Sequence, residues 1–223
     1  MKKLVWRKIG VFVAAICSVI LLKQEVFAAS EDIIDMTQKG SLTVYKYDLT
    51  AAEEDGIDTS EEKFANNGKE DEKAKEEFKN YVISGVEFTY LHLGNIHTEH
   101  KQNEIQILYD IPEKLEKILG MDNKRGNHQY TSTELNYSLK ELLAQETEGR
   151  NQLEQYVNHA DEKKNMPLTD KNGKTSVTEL PLGLYLIVET KVPANVHTTV
   201  EPFFVSLPMT DHEGEAWFYD VEV

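Results

Sequence analysis

Alternating apolar and polar positions mark both ends of this chain, and helical spacing marks its middle. Within 40–48, Leu42, Val44 and Lys46 fall on one face of a strand and Thr43, Tyr45 and Tyr47 on the other. A second strand is predicted over 83–93, where Val86, Phe88 and Tyr90 alternate after Gly85, and a third over 105–109. Helical patterns come next. Pro112 opens a short one that runs to Leu119 and stops at Gly120. Thr131 and Glu134 have capping-box spacing ahead of Leu135, Leu139, Leu142 and Leu143. Leu153, Tyr156 and Val157 carry the helical spacing on to about Ala160. After Pro167 the strand pattern returns. Asp170-Lys171-Asn172-Gly173 reads as a turn, 183–190 and 202–208 as strands, 211–214 as a turn and 217–223 as the last strand. About seven strands with helices inserted over 110–160 predict a mainly β fold, an Ig-like antiparallel β-sandwich with a helical insertion. With no internal repeat and no clear linker, 39–223 reads as one domain behind a polar arm at 29–38.

Composition changes this picture in three places. The segment 49–80 turns to Glu, Asp, Lys, Asn and Gly with few apolar residues, and reads as an acidic, solvated excursion of loop or loose helix. At the start, Lys2, Lys3, Arg7 and Lys8 flank an apolar run of 14 residues over 9–22, and Val26-Phe27-Ala28 ends in a small residue. Basic, apolar, small is the order of a cleavable secretory signal, and the run is shorter than the roughly 20 residues of a membrane span. Cleavage after Ala28 is expected, leaving a secreted chain with no membrane segment. Cutting there removes five basic residues (Lys2, Lys3, Arg7, Lys8, Lys23) and one acid (Glu25) from 24 and 39, leaving 19 and 38. Such an excess of negative charge repels nucleic acid, so no nucleic-acid partner is expected. The single cysteine, Cys17, leaves with the signal. An exported domain without disulfides needs a large core or another covalent link.

Motifs for catalysis are missing. Gly173-Lys174-Thr175 lacks the upstream glycine of a phosphate loop, which would fall at Leu168. No Gly-x-Ser-x-Gly elbow exists. His92, His97 and His100 lack the His-Glu-x-x-His order of zinc proteases and read as surface histidines. No cofactor, no metal and no enzymatic activity on other molecules is expected.

Two charges stand where a sandwich needs apolar side chains. Lys46 shares a face with Leu42 and Val44, and Glu189 shares one with Tyr185 and Ile187. If those faces point inward, both charges are buried, at high cost unless paired. Removal from water favours a neutral amine and a protonated acid, and those forms are a nucleophile and a proton shuttle. Beside an asparagine, such a pair could form a lysine–asparagine amide with loss of ammonia. Equally, the lysine could snorkel to the rim, or the two could form a plain salt bridge.

The segment 180–193, Leu-Pro-Leu-Gly-Leu-Tyr-Leu-Ile-Val-Glu-Thr-Lys-Val-Pro, resembles the E-box of Gram-positive pilins and Cna B-type domains. Gly85-Val86-Glu87-Phe88 resembles their second-strand motif and 40–46 their first strand, while 202–210 and 217–223 are similar to the closing strands. The resemblance covers most of the chain after Ala28. It implies the N-terminal domain of a sortase-assembled backbone pilin, a structural subunit supporting fibre assembly and adhesion at the cell surface. It makes Lys46 the candidate bond-forming lysine and Glu189 the candidate catalytic carboxylate of an internal isopeptide bond. The implied partners are other pilin subunits and a pilus sortase, with a host matrix ligand also allowed. The alternative is a non-polymerised adhesin or ancillary pilin binding host matrix or glycans. The family continues from its last strand into Tyr-Pro-Lys-Asn, whose lysine joins subunits and whose asparagine can accept the first-strand lysine. This sequence ends at Val223, so truncation is expected at the C-terminal end, with the acceptor asparagine outside the chain.

Overall fold

The computed structural model describes residues 34–60, 64, 67–101, 104–121, 126–145, 147–194, 196, 199–210 and 216–223. The proposed signal at 1–28, the first residues of the arm and the turn at 211–214 lie outside that set. Along the chain come β1 (Gly40–Tyr45), α1 (Leu49–Glu54), α2 (Glu72–Glu77), β2 (Glu87–Gly94), β3 (Ile96–Lys101), β4 (Glu104–Asp110) and α3 (Glu113–Ile118). They are followed by β5 (Gln129–Tyr130), α4 (Ser132–Leu143), α5 (Thr147–Asn158), β6 (Lys164–Asn165), β7 (Lys174–Leu180), β8 (Gly183–Lys191), β9 (Phe203–Leu207), β10 (Met209–Thr210), β11 (Trp217–Phe218) and β12 (Asp220–Glu222).

The fold is mainly β, as expected. One sheet has the order β12-β1-β7 and a second β6-β2-β8-β9, with a β3-β4-β5 sheet and a β10-β11 pair alongside. β8 is the central element: it runs antiparallel to β2 on one side and to β9 on the other. Its residues from Gly183 to Glu189 are all buried, because its second face is covered as well. The helical insertion supplies that cover, with α5 lying against both β2 and β8. Leu153 and Val157 of α5 join Leu42, Phe88, Leu91, Leu186 and Ile187 in one core. Fully burying each such side chain stabilises by about 1.5–3 kcal/mol.

The insertion folds as its sequence predicts. Thr131 Oγ1 accepts from the Glu134 amide at 3.2 Å, and Glu134 Oε2 accepts from the Thr131 amide at 2.8 Å. This reciprocal cap starts α4, whose buried face is Leu135, Leu139, Leu142 and Leu143. α5 crosses so near α4 that a Cβ on Gly149 would stand 1.9 Å from the Leu142 carbonyl oxygen.

Three expectations need correction, and one strand carries no sequence signal. The strand predicted over 83–93 begins only at Glu87, since Ile83 and Gly85 are spent on turn contacts to Lys46 and Thr169. The excursion at 49–80 is not only solvated: α1 and α2 close over a small second core of Ala52, Phe64 and Phe78. The stretch carrying His97 and His100 is a strand, β3, paired along its length with β4. The closing strand is two, because β11 pairs antiparallel with β10 while β12 turns away at Tyr219 to run parallel to β1.

Candidate functional site

Lys46 lies directly after β1 and is held by its backbone. Its amide donates to the Gly173 carbonyl at 2.8 Å, and its carbonyl accepts from the Ile83 amide at 2.9 Å. Gly173 closes the predicted turn. Asp170 Oδ1 accepts there from the amides of Asn172 (2.8 Å) and Lys174 (3.0 Å), and the Lys174 bond first, then the Asn172 bond, holds its carboxyl below the ordinary value. Gly173 has φ +71°, and a Cβ on it would lie 2.6 Å from the Lys46 carbonyl oxygen. The turn therefore needs glycine for both conformation and space.

Glu189 comes from β8, in register with Phe88 of β2. It faces Lys46 across the sandwich, with Nζ 2.9 Å from Oε2 and side-chain exposures of 4% and 0%. Neither carboxylate oxygen receives a well-directed hydrogen bond from the described residues, so the contact is an ion pair first. The two residues singled out from alternation alone are thus brought together in the interior. Chemically, the carboxylate stands within proton-transfer distance of the ammonium.

Beside the pair lies a cleft of about 160 Å³, bounded by Val44, Phe88, Val200, Phe203 and Val223. Tyr47 also lines it; burial, with the neighbouring Tyr45, pushes that phenol up to about 12. β12 leads to this cleft. Parallel pairing sets Leu42 opposite Val221 and Thr43 opposite Glu222, and Val223 continues it through bonds to Thr43 (2.9 Å) and Tyr45 (2.8 Å). The direction of β12 is towards Lys46. Nothing in the hydrophobic pattern of 217–223 signalled this parallel pairing, because three residues are too few to carry a period.

The described histidines make separate contacts. His92, expected at the surface, is partly buried against Tyr185, with ring centroids 5.0 Å apart, because β2 is covered on both faces. His97 bonds Asp110 at 2.7 Å. Among the described residues, no group of three or more His, Cys, Asp or Glu could hold a metal ion. No described helix is long and apolar enough to cross a membrane.

Among the described residues, the sandwich interior thus carries a lysine–glutamate pair near the end of the closing strand. The model of the Gram-positive pilin subunit D1, N-terminal domain, matches residues 37–223, and the chain belongs to that family. It is 38% identical over 58 residues to the fimbrial subunit type 2 of Actinomyces naeslundii, a match covering 25% of this chain and 11% of that protein. It is also similar to the major pilin SpaD from Corynebacterium diphtheriae (23% identity, 85% of this chain, 32% of SpaD, TM-score 0.45). A further match is the fimbrial protein FimP from Actinomyces oris (23% identity, 87% of this chain, 31% of FimP, TM-score 0.47). The chain spans less than a third of the length of each of these relatives.

Proposed function

We propose that this chain is the N-terminal domain of a structural subunit of a Gram-positive surface pilus, exported by residues 1–28 and stapled internally through Lys46. The observation that carries this reading is the 2.9 Å Lys46–Glu189 pair, buried beside the end of β12. Buried ion pairs are poor stabilisers compared with apolar side chains of similar volume, which favours a chemical role.

The Lys46 ammonium first gives a proton to Glu189, leaving a neutral amine and a carboxylic acid. The amine nitrogen attacks the side-chain amide carbon of an asparagine carried in by the segment after β12, while the acid hydrogen-bonds the carbonyl oxygen. The amide C–N bond breaks, and its nitrogen leaves with the protons from the amine and the carboxyl, as ammonium. The lysine–asparagine amide and the Glu189 carboxylate remain. Phe88 and Phe203 give the cleft beside Lys46 apolar walls. Such a link would do for a cysteine-free fibre what disulfides do elsewhere. The partners in this reading are other pilin subunits and the sortase that joins them.

The test is intact-mass measurement on a chain carrying the Tyr-Pro-Lys-Asn continuation after Val223. Loss of one ammonia is expected in the wild type and not in Lys46→Ala or Glu189→Ala. A folded wild type with unmodified mass would sink the bond.

A further inference from the structure

The second half of the acidic excursion does more than cover a small core, since it is stitched to both closing strands. The Glu222 amide donates to the Gly68 carbonyl at 3.0 Å, giving β12 a neighbour on the edge away from β1. Lys69 Nζ stands 4.1 Å from the centre of the Phe218 ring on β11. Lys75, from α2, has Nζ 3.5 Å from Glu222 Oε2, which is buried and receives no hydrogen bond from the described residues. The same ammonium contacts Glu70 and lies 4.7 Å from the centre of the Tyr45 ring on β1. One cation thus joins α2, β1 and β12. Burial opposes its charge, but bonds to Glu70 and Tyr45 and the field of Glu222 hold its proton more tightly than usual.

We propose that residues 67–79 form a clasp on the closing strand, with Lys75 as the positioning residue that fixes the register of β12 beside β1. β12 has only three residues and a single strand partner, so its own ladder cannot specify register strongly. A slip of one residue would turn its side chains to the opposite face, so that residues beyond Val223 would present the wrong side chains to Lys46. The clasp supplies the missing specification from outside the sheet. For the amide chemistry this inference rests on the proposed Lys46 bond; for the strand itself it does not.

The test reads amide hydrogen exchange in the folded protein at Tyr45, Glu222 and Val223, with Ile187 of β8 as the internal reference. Lys75→Met keeps the apolar stem and removes the charge. It is expected to speed exchange at those three amides about five- to tenfold and leave Ile187 unchanged. Lys75→Arg should restore protection, and Glu222→Gln should reproduce the Met variant without adding to it. Unchanged exchange at the three amides, or equal acceleration at Ile187, overturns the clasp. In the chain extended by Tyr-Pro-Lys-Asn, Lys75→Met should slow ammonia loss with Lys46 and Glu189 intact, and an unchanged rate overturns its positioning role. If the wild-type extended chain keeps its ammonia, the bond reading fails, and the exchange measurement alone decides the clasp.

Discussion

Lys46 and Glu189 meet 2.9 Å apart, and each is placed by a different sheet of the sandwich. Lys46 lies just past β1, whose preceding inward positions are Leu42 and Val44. Glu189 ends the buried run of β8. Two charged side chains occupy space that the surrounding core would fill with apolar ones. A buried ion pair depends on both partners being present, which has consequences for stability.

Removing one partner leaves the other buried without its counterpart. Lys46→Ala is expected to destabilise the unlinked domain by about 3–5 kcal/mol. Replacing both, as Lys46→Met with Glu189→Leu, should restore wild-type stability or exceed it by about 1–4 kcal/mol. Urea denaturation of the three proteins checks this. A double variant as unstable as the single one would mean that the pair is needed for packing itself.

Gly173 holds Lys46 from behind. In Gly173→Ala the added methyl meets the Lys46 carbonyl at a distance no relaxed structure keeps, and the left-handed backbone adds strain of about 1–2 kcal/mol. A loss of at least about 2 kcal/mol in thermal unfolding is expected once the displaced carbonyl is included. Alanine at Gly120, where a Cβ meets nothing within 4 Å, should cost only the backbone strain.

The alternation that exposed Lys46 worked because Leu42, Val44 and Lys46 are all buried while Ser41 and Tyr45 stay partly open, although Thr43 is buried as well. β8 was legible for a different reason. Alternation sets Glu189 on the face of Tyr185 and Ile187, but Leu184, Leu186 and Val188 are just as buried. The pattern alone therefore does not tell an inward face from an outward one, and the resemblance of 180–193 to a known box adds the missing weight. β3 gives no strand signal because its His97, Thr98 and Glu99 are polar on both sides, as a strand at the margin of a sheet can be. The second core gives none because Ala52, Phe64 and Phe78 are more than ten residues apart, and only the folded chain brings them into contact. The parallel approach of β12 to β1 depends on sequence separated by about 180 positions, beyond any local pattern.

The capping box of α4 offers a separate measure of the helical insertion. Thr131→Ala should cost about 1 kcal/mol, and Glu134→Ala a similar amount. Because each side chain caps the other's backbone, the double variant should lose less than the sum. Denaturant midpoints of the four proteins give the coupling directly. Full additivity would mean that the two bonds act independently.

Acid should loosen the β3-β4-β5 sheet. Burial alone would raise the Asp110 carboxyl, but bonds from His97 (2.7 Å) and Gln129 (2.9 Å) outweigh it and hold the group below its ordinary 3.8. A carboxyl whose folded value is depressed contributes stability that is fully present above the unfolded value, near 3.9. That contribution fades as pH falls through the folded value. Asp110→Asn should therefore be less stable than wild type at neutral pH. The difference should shrink below about pH 4 and vanish once Asp110 is protonated in both folded and unfolded chains. Thermal unfolding of the two proteins across about pH 2–7 checks the sign, and a gap that widens towards acid would show that the carboxyl is not held in its charged form by these partners.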